Sequence, residues 1–105
     1  MISLALVQFS CGEKMEIHIS KTIMFEGKLY ELNSDKPFSG VIFNTYPSGL
    51  REYEGEYKNG KPNGLLTYWY NNGNKMREGK LKNGIPIGRW TTYKENGSIK
   101  ELMDH

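Results

Sequence analysis

Pro62-Asn-Gly-Leu-Leu-Thr-Tyr-Trp-Tyr-Asn-Asn-Gly73 recurs 24 residues later as Pro86-Ile-Gly-Arg-Trp-Thr-Thr-Tyr-Lys-Glu-Asn-Gly97. One step earlier stands Phe38-Ser-Gly-Val-Ile-Phe-Asn-Thr-Tyr-Pro-Ser-Gly49. The glycines carry the register: Gly40, Gly64 and Gly88; Gly49, Gly73 and Gly97; Gly55 and Gly79; Gly60 and Gly84. A fixed period in this range marks a stacked repeat array, in which one unit cannot bury its apolar face alone. Such an array presents a surface rather than a reaction pocket.

Within each unit about six residues rich in β-branched and aromatic types run into a turn that ends in glycine, which reads as a strand and a hairpin turn. Asn72-Gly73 and Asn96-Gly97 are strong turn dipeptides because both residues tolerate positive φ, and Pro47-Ser48-Gly49 does the same work. A second, more charged strand follows each turn, over 50–57, 74–81 and 98–102. Lys58-Asn59-Gly60 and Lys82-Asn83-Gly84 then turn the chain into the next unit, and Pro62 and Pro86 are expected to stop a strand from running on. Upstream, Met15, Ile17 and Ile19 alternate with polar residues, and Glu26-Gly27 separates 22–25 from 28–32 as a further hairpin. The predicted organisation is a signal-like segment at 1–14, a divergent N-terminal cap hairpin at 15–36, and three repeats at 38–61, 62–85 and 86–105. The predicted fold is all-β: tandem antiparallel β-hairpins stacked into an elongated, solenoid-like sheet.

Bulk composition narrows the function. The chain has 105 residues, 37% hydrophobic, with 12 glycines and a net charge of +2. That balance suits a thin, turn-rich β structure and argues against nucleic-acid binding, which calls for a clear basic face. Cys11 is the single cysteine, so no disulfide forms within the chain and no Cys/His metal cluster is available. His18 and His105 have no acidic constellation beside them in sequence, so no metal site, cofactor site or nucleophile–His pair is expected. Glu52, Glu54 and Glu56 fall at strand spacing on one face and read as solvated charge. Gly60-Lys61-Pro62-Asn63-Gly64 lacks the Lys-Ser/Thr step and following helix of a phosphate loop.

These units resemble the MORN-variant repeat, found in tandem in many bacterial proteins. The resemblance rests on Gly88, Trp90, Tyr93, Asn96 and Gly97 in the last unit. In the middle unit it rests on Gly64, Trp69, Tyr70, Asn72, Gly73, Lys82, Asn83 and Gly84. The first unit departs from the pattern: Ile42 stands where Trp90 does, and Pro47-Ser48 precede Gly49. The resemblance covers roughly 27–102. It implies a non-catalytic module for protein–protein interaction, antitoxin-like in neutralising a partner toxin or acting in the cell envelope.

The aromatic residues Tyr68, Trp69, Tyr70, Trp90 and Tyr93 are read first as core, stacked from unit to unit, and otherwise as an outward recognition strip with Lys75 and Arg77. Two alternatives to a protein partner stay open. One is a membrane-surface or lipid-headgroup binder using Lys75, Arg77, Lys80 and Lys82. The other is a glycan or choline binder using the aromatics. At the N-terminus the apolar run 2–9 and the Ser10-Cys11 junction resemble the end of a bacterial lipoprotein signal. The run is too short to cross a membrane as a helix, and Gln8 departs from the usual signal. Cys11 is thus either the lipid-modified first residue of an envelope lipoprotein or a buried thiol in an edge strand of a cytoplasmic protein.

Overall fold

A computed structural model describes residues 14–105. The strands are β1 (Glu16–His18), β2 (Thr22–Phe25), β3 (Lys28–Glu31), β4 (Gly40–Thr45), β5 (Arg51–Lys58), β6 (Lys61–Trp69), β7 (Lys75–Lys82), β8 (Ile85–Tyr93) and β9 (Ile99–Asp104). A 3-10 turn over Ile19–Lys21 links β1 to β2. Seven strands form one open sheet in the order β1-β4-β5-β6-β7-β8-β9, and β2 and β3 form a separate two-stranded sheet. From β4 to β9 each strand pairs antiparallel with the next, as tandem hairpins require. The chain is therefore all-β, extended to 51 × 34 × 27 Å.

The cap departs from the expected in-line hairpin. β1 pairs parallel with β4 at the sheet edge, while β2–β3 folds as its own ribbon. The ribbon is tied to the sheet by Leu29, whose amide donates to the Gly60 carbonyl (2.9 Å) and whose carbonyl accepts from the Phe38 amide (2.9 Å). Leu29, Phe38 and Ile42 form the buried cluster at this junction, with Ile17, Tyr53 and Tyr57 packed against it.

Two turn chemistries alternate. Lys58 pairs with Lys61 and Lys82 with Ile85, leaving two-residue turns at Asn59-Gly60 and Asn83-Gly84 with both residues at positive φ. These are type I′ turns, which match the twist of the flanking strands. The hairpin tips differ from expectation. Asn72 and Asn96 stay at negative φ, and their side-chain oxygens accept from the amides of Asn74 and Ser98, each at 2.9 Å. Only Gly73 (φ 91°) and Gly97 (φ 94°) enter the left-handed region there. Such tips are type I turns closed by a glycine bulge, so Asn serves as a side-chain acceptor.

The prolines do not stop strands: Pro62 lies in β6 and Pro86 in β8. Each stands one pair inward from the turn, opposite Tyr57 or Leu81. In an antiparallel ladder the pair next to a hydrogen-bonded pair exchanges no N–H···O bonds, so the missing donor costs the hairpin nothing.

Packing across the sheet follows the 24-residue period. One row runs Ile42, Gly55, Leu66, Gly79 through ladder partners, and ends on the Trp90–Met103 pair. Tyr53 and Tyr57 close over Gly55, and the Trp90 indole lies over Gly79 where any Cβ would overlap it. Trp90 is only 6% exposed, and its Nε1 donates to the Lys80 carbonyl at 3.1 Å. Units are also tied by tyrosines: the Tyr46 hydroxyl donates to the Trp69 carbonyl (2.6 Å) and the Tyr70 hydroxyl to the Tyr93 carbonyl (2.7 Å).

Gly79→Ala is expected to destabilise the domain by about 1–3 kcal/mol through overpacking against Trp90. Gly73→Ala, whose added Cβ meets nothing within 4 Å, costs only its backbone strain of roughly 1 kcal/mol. Urea melts of the two variants check the order, and equal losses would count against the glycine–indole packing.

Candidate interaction surface

The residues expected to form a recognition strip are divided by the structure between structural and exposed roles. Trp90 is buried, so it is corrected from contact residue to core. A bulge falls between Tyr68 and Trp69, with equivalents at Asn44/Thr45 and Thr92/Tyr93. The extra residue at the Tyr68/Trp69 step is Met76 on β7, and Trp69, Tyr70 and Tyr93 are all half-buried. The Trp69 and Tyr93 carbonyls are the acceptors of the inter-unit tyrosine bonds, so these positions tie the units together. Tyr68, at 36% exposure, is the most open of the five.

The expected cationic partners are also largely engaged. Lys75 pairs with Glu78 at 3.0 Å, and the Arg77 guanidinium stands 5.0 Å from the Trp90 ring centroid. Lys82 instead joins Lys28, Lys58 and Lys61 around a shallow depression of about 580 Å3 at the type I′ turn edge. None of these four lysines enters an ion pair formed among the described residues.

The three glutamates of β5 are not merely solvated, since each has a partner. Glu52 accepts from Asn44 Nδ2 at 3.0 Å, Glu54 pairs with Arg51 at 3.0 Å, and Glu56 pairs with Lys14. Glu56 also accepts from the Leu65 amide at 2.7 Å, over the bulge at Gly64. The Lys14 hydrogen bond chiefly, with help from that amide, holds the Glu56 carboxyl below its ordinary range against the opposing effect of partial burial.

Two surfaces escaped the sequence reading. The first is the β2–β3 ribbon, where Ile23 (54%), Met24 (60%) and Phe25 (59%) are exposed. Ile23, Phe25 and Tyr30 line a cleft of about 390 Å3 with Glu31 and Asp35 beside them, and Phe25 meets Tyr30 edge-on at 6.2 Å. Its signal was the apolar run Thr22–Phe25, which reads as cap core until the ribbon is seen to stand off the main sheet. The second is a cleft of about 320 Å3 lined by Ile19, Asn44, Glu52, Tyr53, Tyr57 and Tyr68. Tyr53 and Tyr57 lie on β5, a strand whose charges drew attention away from its rings. Their hydroxyls meet at 2.8 Å, and Tyr53 and Tyr68 pack at 5.1 Å between centroids. Burial, then the Tyr57 hydrogen bond, pushes the Tyr53 hydroxyl well above the ordinary phenol value, so it stays neutral.

Among the described residues no group of three His, Cys, Asp or Glu is placed to hold a metal ion, and no helix is long and apolar enough to cross a membrane. Cys11 lies outside the described residues. Compared with known protein families, with characterised proteins and with solved structures, the chain matches none.

Glu56 has a folded pKa below its unfolded one, so its contribution to stability is present above the unfolded value and is lost as pH falls through the folded value. Glu56→Gln is therefore expected to flatten the acid limb of the stability–pH curve while leaving its shape unchanged above pH ~6. Denaturant midpoints measured across the acid range check this, and an unchanged acid limb would refute it.

Proposed function

We propose that this chain is a non-catalytic protein-interaction module of the MORN-variant type, docking a partner through the β2–β3 ribbon rather than through an aromatic strip. The observation that supports this reading is the exposed patch of Ile23, Met24 and Phe25 on a two-stranded ribbon. A protein interface has an apolar, aromatic centre and a polar rim, and the Ile23–Phe25–Tyr30 cleft beside Glu31 and Asp35 has that make-up. A ribbon of two strands gains little from exposing such residues for its own stability. The fitting partner offers an apolar anchor flanked by basic side chains. Antitoxin-like neutralisation is the form this takes if the partner is a toxin whose working surface the ribbon covers.

The product of the neighbouring gene is the partner to test. Co-purified with the full chain, it is expected to form a stable complex. Phe25→Asp should weaken that complex by roughly tenfold or more, as loss of an aromatic anchor does. Circular dichroism of the variant confirms that the sheet is intact. A complex insensitive to Phe25→Asp and Ile23→Asp would sink the ribbon as docking surface.

A second reading has its own observation: four lysines gathered at the turn edge, none of them in an ion pair among the described residues, which favour an anionic membrane surface. Cosedimentation with vesicles rich in anionic lipid is then expected to fall as salt rises from 50 to roughly 300 mM, since the Debye length shortens to a few ångströms. Lys58→Ala with Lys82→Ala should reduce it further. Salt-independent binding would exclude the lysine edge.

A further inference from the structure

The cleft of Tyr53, Tyr57 and Tyr68 has no part in the ribbon surface, and its composition is selective. Three of its six lining residues are tyrosines, one is the aliphatic Ile19, and the charged member is Glu52. The Tyr53 and Tyr57 hydroxyls are hydrogen-bonded to each other at 2.8 Å. What remains for a ligand is chiefly ring surface. The Tyr53 and Tyr68 planes are inclined at 45°, with centroids 5.1 Å apart, so the two rings present a corner rather than a flat stack. Glu52 is held by Asn44, whose Nδ2 donates to it at 3.0 Å while Asn44 Oδ1 accepts from the Thr45 amide at 2.9 Å. Glu52 enters none of the ion pairs formed among the described residues.

The geometry points to a binding site for a methylated ammonium cation at the cleft of Tyr53, Tyr57, Tyr68 and Glu52. The ring faces carry negative quadrupole density, and a methylated ammonium is large, weakly hydrated and unable to satisfy a buried hydrogen-bond acceptor network. It therefore pays little to leave water and gains contact with several rings at once. Glu52 supplies the compensating charge at the rim. A primary ammonium is more strongly hydrated and gives up more water to reach the ring faces. An anion is disfavoured by the carboxylate. A neutral apolar ligand would fit the volume but would use neither the quadrupoles nor Glu52. This inference stands apart from the ribbon reading, since the two clefts share no lining residue.

The test is a titration of the full chain with tetramethylammonium chloride, followed by aromatic-ring NMR, with sodium chloride as the ionic-strength control. Saturable shifts are expected at Tyr53, Tyr57 and Tyr68 and not at Trp90. Choline should compete, and its uncharged carbon isostere 3,3-dimethyl-1-butanol should bind about tenfold more weakly or worse. Glu52→Gln should weaken tetramethylammonium about fivefold, Tyr68→Leu should weaken it more, and Tyr68→Phe, which keeps the ring, should bind as the parent does. Phe25→Asp should leave this binding unchanged, which separates its failure from that of the ribbon. Competition by free choline set against retention on phosphatidylcholine vesicles tells a soluble source of the headgroup from a lipid-borne one. Equal affinity for the uncharged isostere, or shifts that do not saturate at these rings, would overturn the proposal. If Tyr68→Leu does not fold, Glu52→Gln and the isostere comparison decide it alone.

Discussion

The structure depends on a large side chain lying across a glycine of the neighbouring strand. A single open sheet has no second layer to bury its rings, so burial must come from lateral neighbours within one face. Gly79 makes this possible for Trp90: with no Cβ beneath it, the indole settles on the backbone of β7 and reaches the Lys80 carbonyl. Gly55 does the same for Tyr53 and Tyr57. The period of 24 residues is the requirement that each unit deliver a large residue where its neighbour delivers a gap. Met103 stands at the corresponding place in the last unit, opposite Trp90, and fills the row there with its own side chain.

Coupling along the array has a second component. Tyr46 and Tyr70 each donate to a carbonyl of the following unit, while within each unit the Gly60 and Gly84 amides donate to the Phe38 and Pro62 carbonyls, each at 2.8 Å. The first set works at the hairpin tips and the second at the type I′ turns, so both margins of the sheet are stitched. This arrangement uses the outward-looking aromatic positions for cohesion. Three surfaces are left for recognition: the β2–β3 ribbon outside the repeats, and the tyrosine cleft and the lysine edge formed largely by repeat residues.

The hairpin order and the places of the turns are legible in the sequence, because glycine and Asn-Gly steps act locally through backbone φ, while β6 and β8 run to nine residues each, longer than the six or so expected. The reading erred where a local rule met a register. Pro62 and Pro86 read locally as strand stops, yet each sits at a pair that exchanges no backbone bonds within its hairpin. Glu52, Glu54 and Glu56 read as solvated charge by spacing, yet Asn44, Arg51 and Lys14 each engage one of them. Tyr53 and Tyr57 sit among the charges of β5, and a strand's charges say nothing of what its other residues face.

The sequence by itself determined the period, the antiparallel hairpins and the all-β class. Those follow from backbone conformational limits and nearest-neighbour pairing, which are encoded within a few residues. Tertiary structure alone decided that β1 joins the sheet in parallel, that β2–β3 stands off as a ribbon, and that Tyr53, Tyr57, Tyr68 and Glu52 meet in one cleft. Those depend on contacts between residues far apart in the chain, where the choice among possible partners is made by shape and burial rather than by any local signal.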